Sequence, residues 1–321
     1  MKRELSHGSS RFLAKPLSGS TGFLSQVFLA TRKGDPRRYI LKVGSDLPAR
    51  RVWARTLRVF SRELAANRLL APMRGKLSPR LHAGTSIESG ANGLLLFDEI
   101  RHARNSDQLQ GLGWTDLITV ARGIAQIHAK FWNTPTLQRS HDLPLHHYML
   151  AHQVRRHLPK FLRWAKLSQK NRDLFQNLPR HVDAALARLK KGPFTLVHGD
   201  FRSDNIFLGK GFVKFIDWAL ASRGSGAFDL ARLAGASPKK LLHLQQHVNL
   251  LKVWHGELLR HGVQNYPLHQ AWQDYQDAIL LTLTIPVTNG PTLASLSSRG
   301  HLLAKVMTKR FIASAREIGI L

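Results

Sequence analysis

Cysteine is absent from the 321-residue chain. Its absence excludes disulfide bonds, zinc sites with thiolate ligands and cysteine nucleophiles. Long apolar runs are also lacking: no run approaches the ~20 residues of a membrane span, and the first ten residues contain no apolar stretch typical of a signal peptide. With 43% hydrophobic residues, the composition is that of a globular protein. We therefore expect a cytoplasmic protein that is not an integral membrane protein and needs no oxidising compartment.

Acidic residues are scarce. The chain has 48 Lys and Arg residues against 20 Asp and Glu residues, a formal net charge of +28, and the excess extends along the whole sequence. Such a field favours anionic partners such as nucleotides, phosphorylated metabolites, acidic glycans or anionic lipid. A generally basic proteome would produce the same composition, so charge alone does not identify a partner. No recognised nucleic-acid-binding motif accompanies the charge, and we expect no nucleic-acid partner.

The most informative segment is Leu196-Val-His-Gly-Asp-Phe-Arg-Ser-Asp-Asn-Ile-Phe, followed by Phe215-Ile-Asp-Trp. In phosphoryl transfer, one carboxylate orients and deprotonates the attacking hydroxyl, which is the role this spacing predicts for Asp200. The amide of Asn205 and the carboxylate of Asp217 are suited to hold Mg²⁺ on a triphosphate. The alternative is a pair of strands whose Asp and Asn residues cap turns. The neighbouring His-Gly and Ile-Asp-Trp sequences favour the catalytic interpretation.

These residues resemble the aminoglycoside phosphotransferase and choline-kinase-like family, whose loop is His-Gly-Asp-x-x-x-x-Asn and whose metal-binding Asp follows in Ile-Asp-Trp or Ile-Asp-Phe. The resemblance covers residues 196–233, including Ala227-Phe-Asp-Leu-Ala. It implies an α+β, bilobal, protein-kinase-like fold, with a small antiparallel sheet lobe at residues 1–98 and a larger, mainly helical lobe at residues 99–321. It also implies that Asp229 is a structural acid that supports the loop.

The first hundred residues contain candidates for a nucleotide-covering lobe. Strands are predicted over residues 12–14, 26–30 and 38–43. Between the first two lies a loop whose glycines can let backbone N–H groups approach phosphates, while its hydroxyls add donors. These loop residues are Gly19, Ser20, Thr21 and Gly22. A plain hairpin turn would have a similar sequence.

Lys42 lies inside an apolar predicted strand, where an unpaired ammonium is costly. The helix predicted over Pro48–Leu70 supplies a single Glu, Glu63. A Lys–Glu pair that orients phosphates is the arrangement found in kinases, and we expect it here. The alternative is an edge-strand lysine that extends into water.

The segment Gly93-Leu-Leu-Leu-Phe-Asp-Glu-Ile resembles the strand-to-hinge segment of the family, whose backbone meets the adenine edge. This implies adenine contacts at Asp98, Glu99 and Ile100, although the acids stand in the inverse of the family's usual Glu-Asp order. A helix is predicted over residues 115–132, and its His128 is interpreted as a hydrogen-bonded core histidine rather than a catalyst or metal ligand.

Residues 155–191 hold 11 basic and two acidic residues. In the family, the helices between hinge and loop shape the acceptor pocket together with the C-terminal helices. A polycationic acceptor would require carboxylates there, so we expect a neutral or anionic acceptor. A local acidic pocket built from Asp274 and Asp277 is the alternative. A loop predicted over residues 286–292 would border the acceptor site.

The sequence thus predicts an ATP·Mg²⁺-dependent kinase that phosphorylates a hydroxyl of a sugar-like or alcohol metabolite. Arg202 is expected either to meet the acceptor or transferring phosphate, or to pair with Asp204 and stiffen the loop. Two alternatives remain open. One is a kinase peripheral to an anionic membrane that acts on a membrane or lipopolysaccharide glycan, and the other is a pseudokinase scaffold that binds an acidic partner.

Overall fold

The structure is a computed structural model that describes residues 3–7, 10–17, 24–146 and 150–320. The chain forms two compact units. The first comprises residues 1–104, 140–143 and 207–221, and the second comprises residues 105–139, 144–206 and 222–321. The chain therefore passes between the units several times rather than once near residue 98. The first unit holds an antiparallel sheet and the second is mainly helical, which confirms the predicted α+β class.

The strands, in chain order, are β1 (Arg3–His7), β2 (Ser10–Pro16), β3 (Ser25–Arg32), β4 (Asp35–Gly44), β5 (Leu81–Ile87), β6 (Asn92–Asp98), β7 (Ala103–Asn105), β8 (Thr195–Val197), β9 (Ile206–Gly209), β10 (Phe212–Phe215) and β11 (Ser222–Gly224). The first six form an antiparallel sheet in the order β1-β2-β3-β4-β6-β5. Strands β2, β3 and β4 match the three predicted ones, whereas β1 and β5 were not predicted. Strands β8 and β11 pair in the second unit.

The alternation of side chains along β4 determines where Lys42 points. Leu41 packs with Phe28 on one face of the sheet. Lys42 lies directly opposite Leu95 of β6, and Leu95 packs on Phe60 of the following helix. Because cross-strand partners share a face, Lys42 is directed toward that helix.

One predicted helix is in fact two: α1 (Pro48–Leu57) and α2 (Val59–Leu69). Arg58 separates them with a left-handed backbone, φ 51°, and its N–H closes the end of α1 on the carbonyls of Ala54 and Arg55. A non-glycine residue in this region costs roughly 1–2 kcal/mol, so tertiary contacts must enforce the break. One such contact is the ion pair between Arg58 and Asp142.

The second unit contains α3 (Trp114–Lys130), α4 (Pro135–Gln138), α5 (Leu150–Trp164), α6 (Gln169–Leu189), α7 (Ala227–Ala236), α8 (Leu244–Arg260), α9 (Leu268–Thr282), α10 (Thr284–Leu296) and α11 (Ser298–Glu317). Every residue of α7 is buried, so this helix forms the centre of the unit. Helix α3 matches the helix predicted over residues 115–132 within two residues at its carboxyl end.

The loop predicted over residues 286–292 is wrong, because these residues belong to α10. Pro286 is the third residue of that helix. Backbone N–H groups in the first turn have no intrahelical acceptor, so a proline there costs no hydrogen bond. Pro291 lies inside the helix, and its burial together with Val287 and Gly290 offsets the missing hydrogen bond. Tertiary packing has overridden the local helix-breaking signal.

Among the described residues, one helical stretch, Leu268–Leu296, is long and apolar enough to cross a membrane, with a mean hydropathy of 1.3. It covers α9 and α10, and 56% of its most apolar window is buried within the protein. A core helix has the same properties, so the stretch is weak evidence of a span.

Candidate active site

The side chains of Lys42, Glu63 and Asp217 meet in the first unit and are called here the lysine cluster. The Lys42 Nζ lies 2.6 Å from Glu63 Oε2 and 2.7 Å from Asp217 Oδ1. Glu63 comes from α2, and Asp217 follows β10. The Lys42 and Glu63 side chains are buried, whereas the Asp217 side chain is 40% exposed. The predicted Lys–Glu pair is therefore present, with the predicted metal ligand beside it.

The backbone around Asp217 is held in an unusual conformation. Asp217 has φ 62° and ψ 61°, in the left-handed region. Arg62, the neighbour of Glu63, donates to the carbonyls of Leu220 and Ala221 at 2.6 and 2.7 Å. The segment after Asp217 is thus tied to α2, which fixes the position of the Asp217 carboxylate relative to Glu63. Backbone strain held by surrounding contacts is typical of functional sites.

The carboxylates of Asp217 and Glu63 stabilise the charged form of Lys42. Burial alone would favour neutral Lys42, but the Asp217 and Glu63 carboxylates outweigh it and hold the pKa of Lys42 above its usual range. For Glu63, burial is the largest influence and raises its pKa to about 7, although Lys42 opposes the shift. Lys42 therefore presents a fixed positive charge next to a partly exposed carboxylate.

In the second unit, the loop after β8 is supported by Asp229. Gly199 turns the chain with φ 84°. The Asp229 carboxylate accepts the N–H groups of His198 and Gly199 at 2.7 and 3.0 Å. It also lies 3.2 Å from His128 Nε2. Asp229 is completely buried, so its role is the structural one that the family resemblance implied.

His128 is a core histidine, as predicted. Its Nδ1 accepts a hydrogen bond from the Trp254 indole at 3.0 Å, so Nε2 carries the proton and donates to Asp229. No exposed surface remains on His128. The buried chain from Trp254 through His128 to Asp229 therefore extends the support of the loop into α8.

We expect Asp229→Ala to lower the free energy of unfolding by about 3–5 kcal/mol, because two buried donors and one partly buried donor lose the carboxylate that accepts from them. Denaturant unfolding monitored by circular dichroism measures this. Asp173→Ala is the matched control, since Asp173 is an exposed acid of α6. Equal unfolding midpoints for the two variants would contradict the supporting role of Asp229.

Asp200, Arg202, Asn205 and Arg232 form a second group, called here the loop cluster. Arg202 Nε lies 3.0 Å from Asp200 Oδ2, and Arg232 Nη2 lies 2.9 Å from Asp200 Oδ1. Burial would raise the pKa of Asp200, but the two guanidiniums outweigh it and hold that pKa below its usual range. Asp200 is thus a fixed carboxylate with an arginine on each oxygen.

Arg202 fits the predicted loop-stiffening role. It bonds to Asp204 as well as to Asp200, and its Nη1 donates to Gln108 Oε1 at 2.7 Å. The Asp204 carboxylate in turn accepts the Gln108 N–H at 2.8 Å. Contact of Arg202 with an acceptor or a phosphate stays a prediction.

Arg232 was not singled out as a site residue by sequence. It lies on α7, is 5% exposed, and places its guanidinium 5.4 Å from the centre of the Phe311 ring. Among the described atoms its Nε and Nη1 have no hydrogen-bond partner. Arg232 stands in a helix that is apolar except for Asp229, and a buried arginine requires a carboxylate partner. This was the signal available in the sequence.

Asn205 is oriented by Asp200. Its Nδ2 donates to the Asp200 carbonyl at 2.9 Å, so that the amide oxygen is the atom of this side chain that can accept. An amide oxygen from Asn205 and a carboxylate from Asp217 are the hard oxygen donors that Mg²⁺ takes. In the described ranges, no group of three or more His, Cys, Asp or Glu side chains is arranged so that it could hold a metal ion. Each of the two residues thus offers one oxygen of the kind that Mg²⁺ takes, which is too few for a cage made of protein alone.

The remaining predicted nucleotide contacts lie at the end of β6 or outside the described residues. The N–H groups of Asp98 and Glu99 donate to the carbonyls of Arg80 and Arg38. Their carboxylates bond to His82 and Arg38, respectively. Of the three predicted hinge residues, only Ile100 keeps its N–H uncommitted within the described part of the chain. Gly19, Ser20, Thr21 and Gly22 lie outside the described residues.

Several solved structures with similar folds are kinases or aminoglycoside phosphotransferases. The chain superposes on a choline kinase from Cryptosporidium parvum Iowa II with a TM-score of 0.60 and 12% identity, over 95% of this chain and 89% of that one. The gentamicin complex of APH(2″)-IIa gives 0.57 and 15% identity, over 95% and 92%. A microcompartment-associated aminopropanol kinase gives 0.57 and 13% identity, over 94% and 91%. At these identities the likeness shows the fold alone.

Sequence comparison gives the family. No curated protein matches the chain. The family described as "Phosphotransferase enzyme family" matches residues 15–262, about three quarters of the sequence. The matched range contains both clusters and the support under the loop. The chain belongs to this phosphotransferase family, and its chemistry is phosphoryl transfer to a hydroxyl group.

Proposed function

We propose that the protein transfers the γ-phosphoryl group of ATP to a hydroxyl of a sugar-like or alcohol metabolite that is neutral or anionic. The lysine cluster carries this proposal. A lysine held at 2.6 and 2.7 Å by two carboxylates, one buried and one partly exposed, is suited to bind phosphate oxygens. We further propose that it works in the cytoplasm, where ATP is available.

The lysine cluster is assigned to the nucleotide. Lys42 neutralises phosphate charge, and Glu63 keeps its ammonium in place. Asn205 and Asp217 would hold Mg²⁺, which would neutralise charge on the phosphates when bound. Near the adenine, Ile100 offers a backbone N–H. An amicoumacin kinase solved with AMP-PNP and Ca²⁺ supports nucleotide use with a divalent cation by this fold.

Asp200 is assigned to the acceptor. The acceptor hydroxyl donates a hydrogen bond to the Asp200 carboxylate, and its oxygen forms a bond to the γ-phosphorus. The bond from the γ-phosphorus to its bridging oxygen breaks, ADP leaves, and the hydroxyl proton passes to Asp200. The two arginines make Asp200 a weak base, so this proton moves late, in keeping with a loose transition state. Arg202 and Arg232 fix the carboxylate in position.

The carboxylates of the second unit are few, and the two candidates for an acidic pocket already have partners. Both facts support an acceptor that is not a polycation. This unit has 26 Lys and Arg residues against 11 Asp and Glu residues. The two acids of the alternative acidic pocket are both buried, and each is already engaged. Asp277 binds Arg188 through both oxygens at 2.6 and 2.8 Å, and Asp274 accepts from the Tyr266 hydroxyl and from Gln270, each at 2.8 Å.

A coupled ADP-release assay over a panel of hydroxyl compounds tests the acceptor class. We expect turnover with neutral or anionic sugars, polyols or phosphorylated alcohols, and at least about a hundredfold lower kcat/KM with aminoglycosides, because like charges repel by several kcal/mol. Choline and ethanolamine belong in the panel, since similar folds include a choline kinase and an ethanolamine kinase. Efficient aminoglycoside phosphorylation would overturn the acceptor class but not the kinase assignment. Nucleotide binding without turnover on any acceptor would favour the pseudokinase alternative.

A further inference from the structure

Helix α1 exposes apolar side chains to solvent. Val52 is 65% exposed, Trp53 is 43% exposed, and Leu47, just before the helix, is 53% exposed. Ala54 is the one fully buried residue among the described side chains of α1. At about 100° per residue, Val52, Trp53 and Thr56 lie within one arc of about 100°, and Ala54 lies opposite the centre of that arc. Val52 and Trp53 therefore place apolar side chains on the outward side of α1, where they contribute little to the core of the protein.

Trp53 differs from every other tryptophan of the chain. The seven tryptophans are all described, and only Trp53 is exposed. Trp218 and Trp254 are fully buried, and the remaining four are partly buried. An indole with an apolar body and a polar N–H is well suited to the boundary between lipid headgroups and acyl chains.

Arginines flank the apolar side. Arg50 and Arg51 precede Val52, and Arg55 follows Trp53. Glu88 binds Arg51, and Asp142 binds Arg58 at the end of the helix. Long arginine side chains beside exposed apolar groups are typical of helices that lie on membranes, because the guanidiniums reach the headgroup phosphates.

The net charge of the first unit favours an anionic lipid surface over a second copy of the chain as the partner of this apolar side. The first unit has 22 Lys and Arg residues against nine Asp and Glu residues, a net charge of +13. Acids close to α1 neutralise part of the local charge, so attraction to an anionic surface comes mainly from the unit as a whole. The same charge opposes pairing with a second copy, because two surfaces of one sign would meet. An anionic lipid surface meets both the apolar and the electrostatic requirement.

We propose that α1 docks the protein on an anionic lipid bilayer, with Trp53, Val52 and Leu47 at the headgroup boundary and the arginines on lipid phosphates. This goes beyond the proposed function, because it requires neither turnover nor a known acceptor. Docking through one short helix is reversible, since its apolar area is small. The protein would thus divide between solution and membrane.

Flotation of the full chain with vesicles tests the proposal, using phosphatidylglycerol–phosphatidylcholine mixtures and pure phosphatidylcholine at low ionic strength. We expect binding to the anionic vesicles only, weakened by added salt. Val52→Ser/Trp53→Ser should reduce the bound fraction about tenfold. Brominated lipids should quench tryptophan fluorescence in the wild type and much less in Trp53→Phe, because the other six indoles are at least partly buried.

Leu302→Ser is the matched control, since Leu302 is 52% exposed but belongs to α11 in the second unit. It should bind vesicles like the wild type. Binding that is equal in Val52→Ser/Trp53→Ser and in the wild type would overturn the proposal, as would no binding by the wild type to anionic vesicles. A dimer in solution that the same double substitution dissociates would also overturn it, because the surface would then belong to a second copy.

Discussion

Asp200→Asn should lower kcat by at least about a thousandfold while the dissociation constant for ATP changes little. The amide cannot accept the hydroxyl proton, and its NH₂ group would face a guanidinium where a carboxylate oxygen now accepts. The lysine cluster is untouched, so nucleotide affinity should persist. The measurements are steady-state ADP release with the best acceptor of the panel and nucleotide titration by calorimetry.

Asp204→Asn is the control for Asp200→Asn. Asp204 lies on the same loop, binds the same Arg202 and has similar exposure, but it is assigned no contact with the hydroxyl. It should lose far less activity. A folding check by circular dichroism must accompany both variants, because Arg232 is buried against Asp200. If Asp200→Asn is folded and keeps wild-type turnover, the proposed proton acceptor is wrong.

The sequence predicted the lysine cluster because each member carries a local signal. Lys42 is a cation inside an apolar strand, and Glu63 is the single Glu of the following helical segment. Asp217 ends an apolar run shortly after an Asp–Asn pair. Each signal depends on residue type and spacing over a few positions, and the fold then brings the three side chains within hydrogen-bonding distance. The antiparallel sheet and the mainly helical second unit were implied by the family resemblance, and local residue patterns predicted three strands of the sheet.

The features that the sequence did not predict depend on contacts between distant segments. Arg58 breaks a helix without Gly or Pro, so no local residue indicates the break. Pro286 and Pro291 indicated a loop, but burial keeps them helical. Arg232 is set beside Asp200 by the packing of α7, and it is separated from that residue by 32 positions. Hydrophobic periodicity indicates which face is buried, not which charged groups meet inside.

Removal of the Asp217 carboxylate is the second prediction with a large effect. Asp217→Ala and Asp217→Asn should each reduce turnover at least about a thousandfold, because a carboxylate on the metal neutralises charge that develops on the phosphates. The fold should remain nearly intact, since the side chain is 40% exposed and Lys42 keeps Glu63 as its partner. The same chemistry predicts that excess chelator abolishes both turnover and tight nucleotide binding in the wild type.

The pair of substitutions separates charge from backbone strain. Asparagine tolerates the left-handed conformation that Asp217 adopts, whereas alanine pays about 1 kcal/mol or more there. Asp217→Asn should therefore unfold at the wild-type denaturant concentration and Asp217→Ala at a slightly lower one, with turnover equally low in both. If Asp217→Asn retained turnover and only Asp217→Ala lost it, Asp217 would act through its backbone and not as a metal ligand. Full activity of the wild type in excess chelator would remove the metal from the mechanism altogether, because Asn205 and Asp217 would then have no cation to hold.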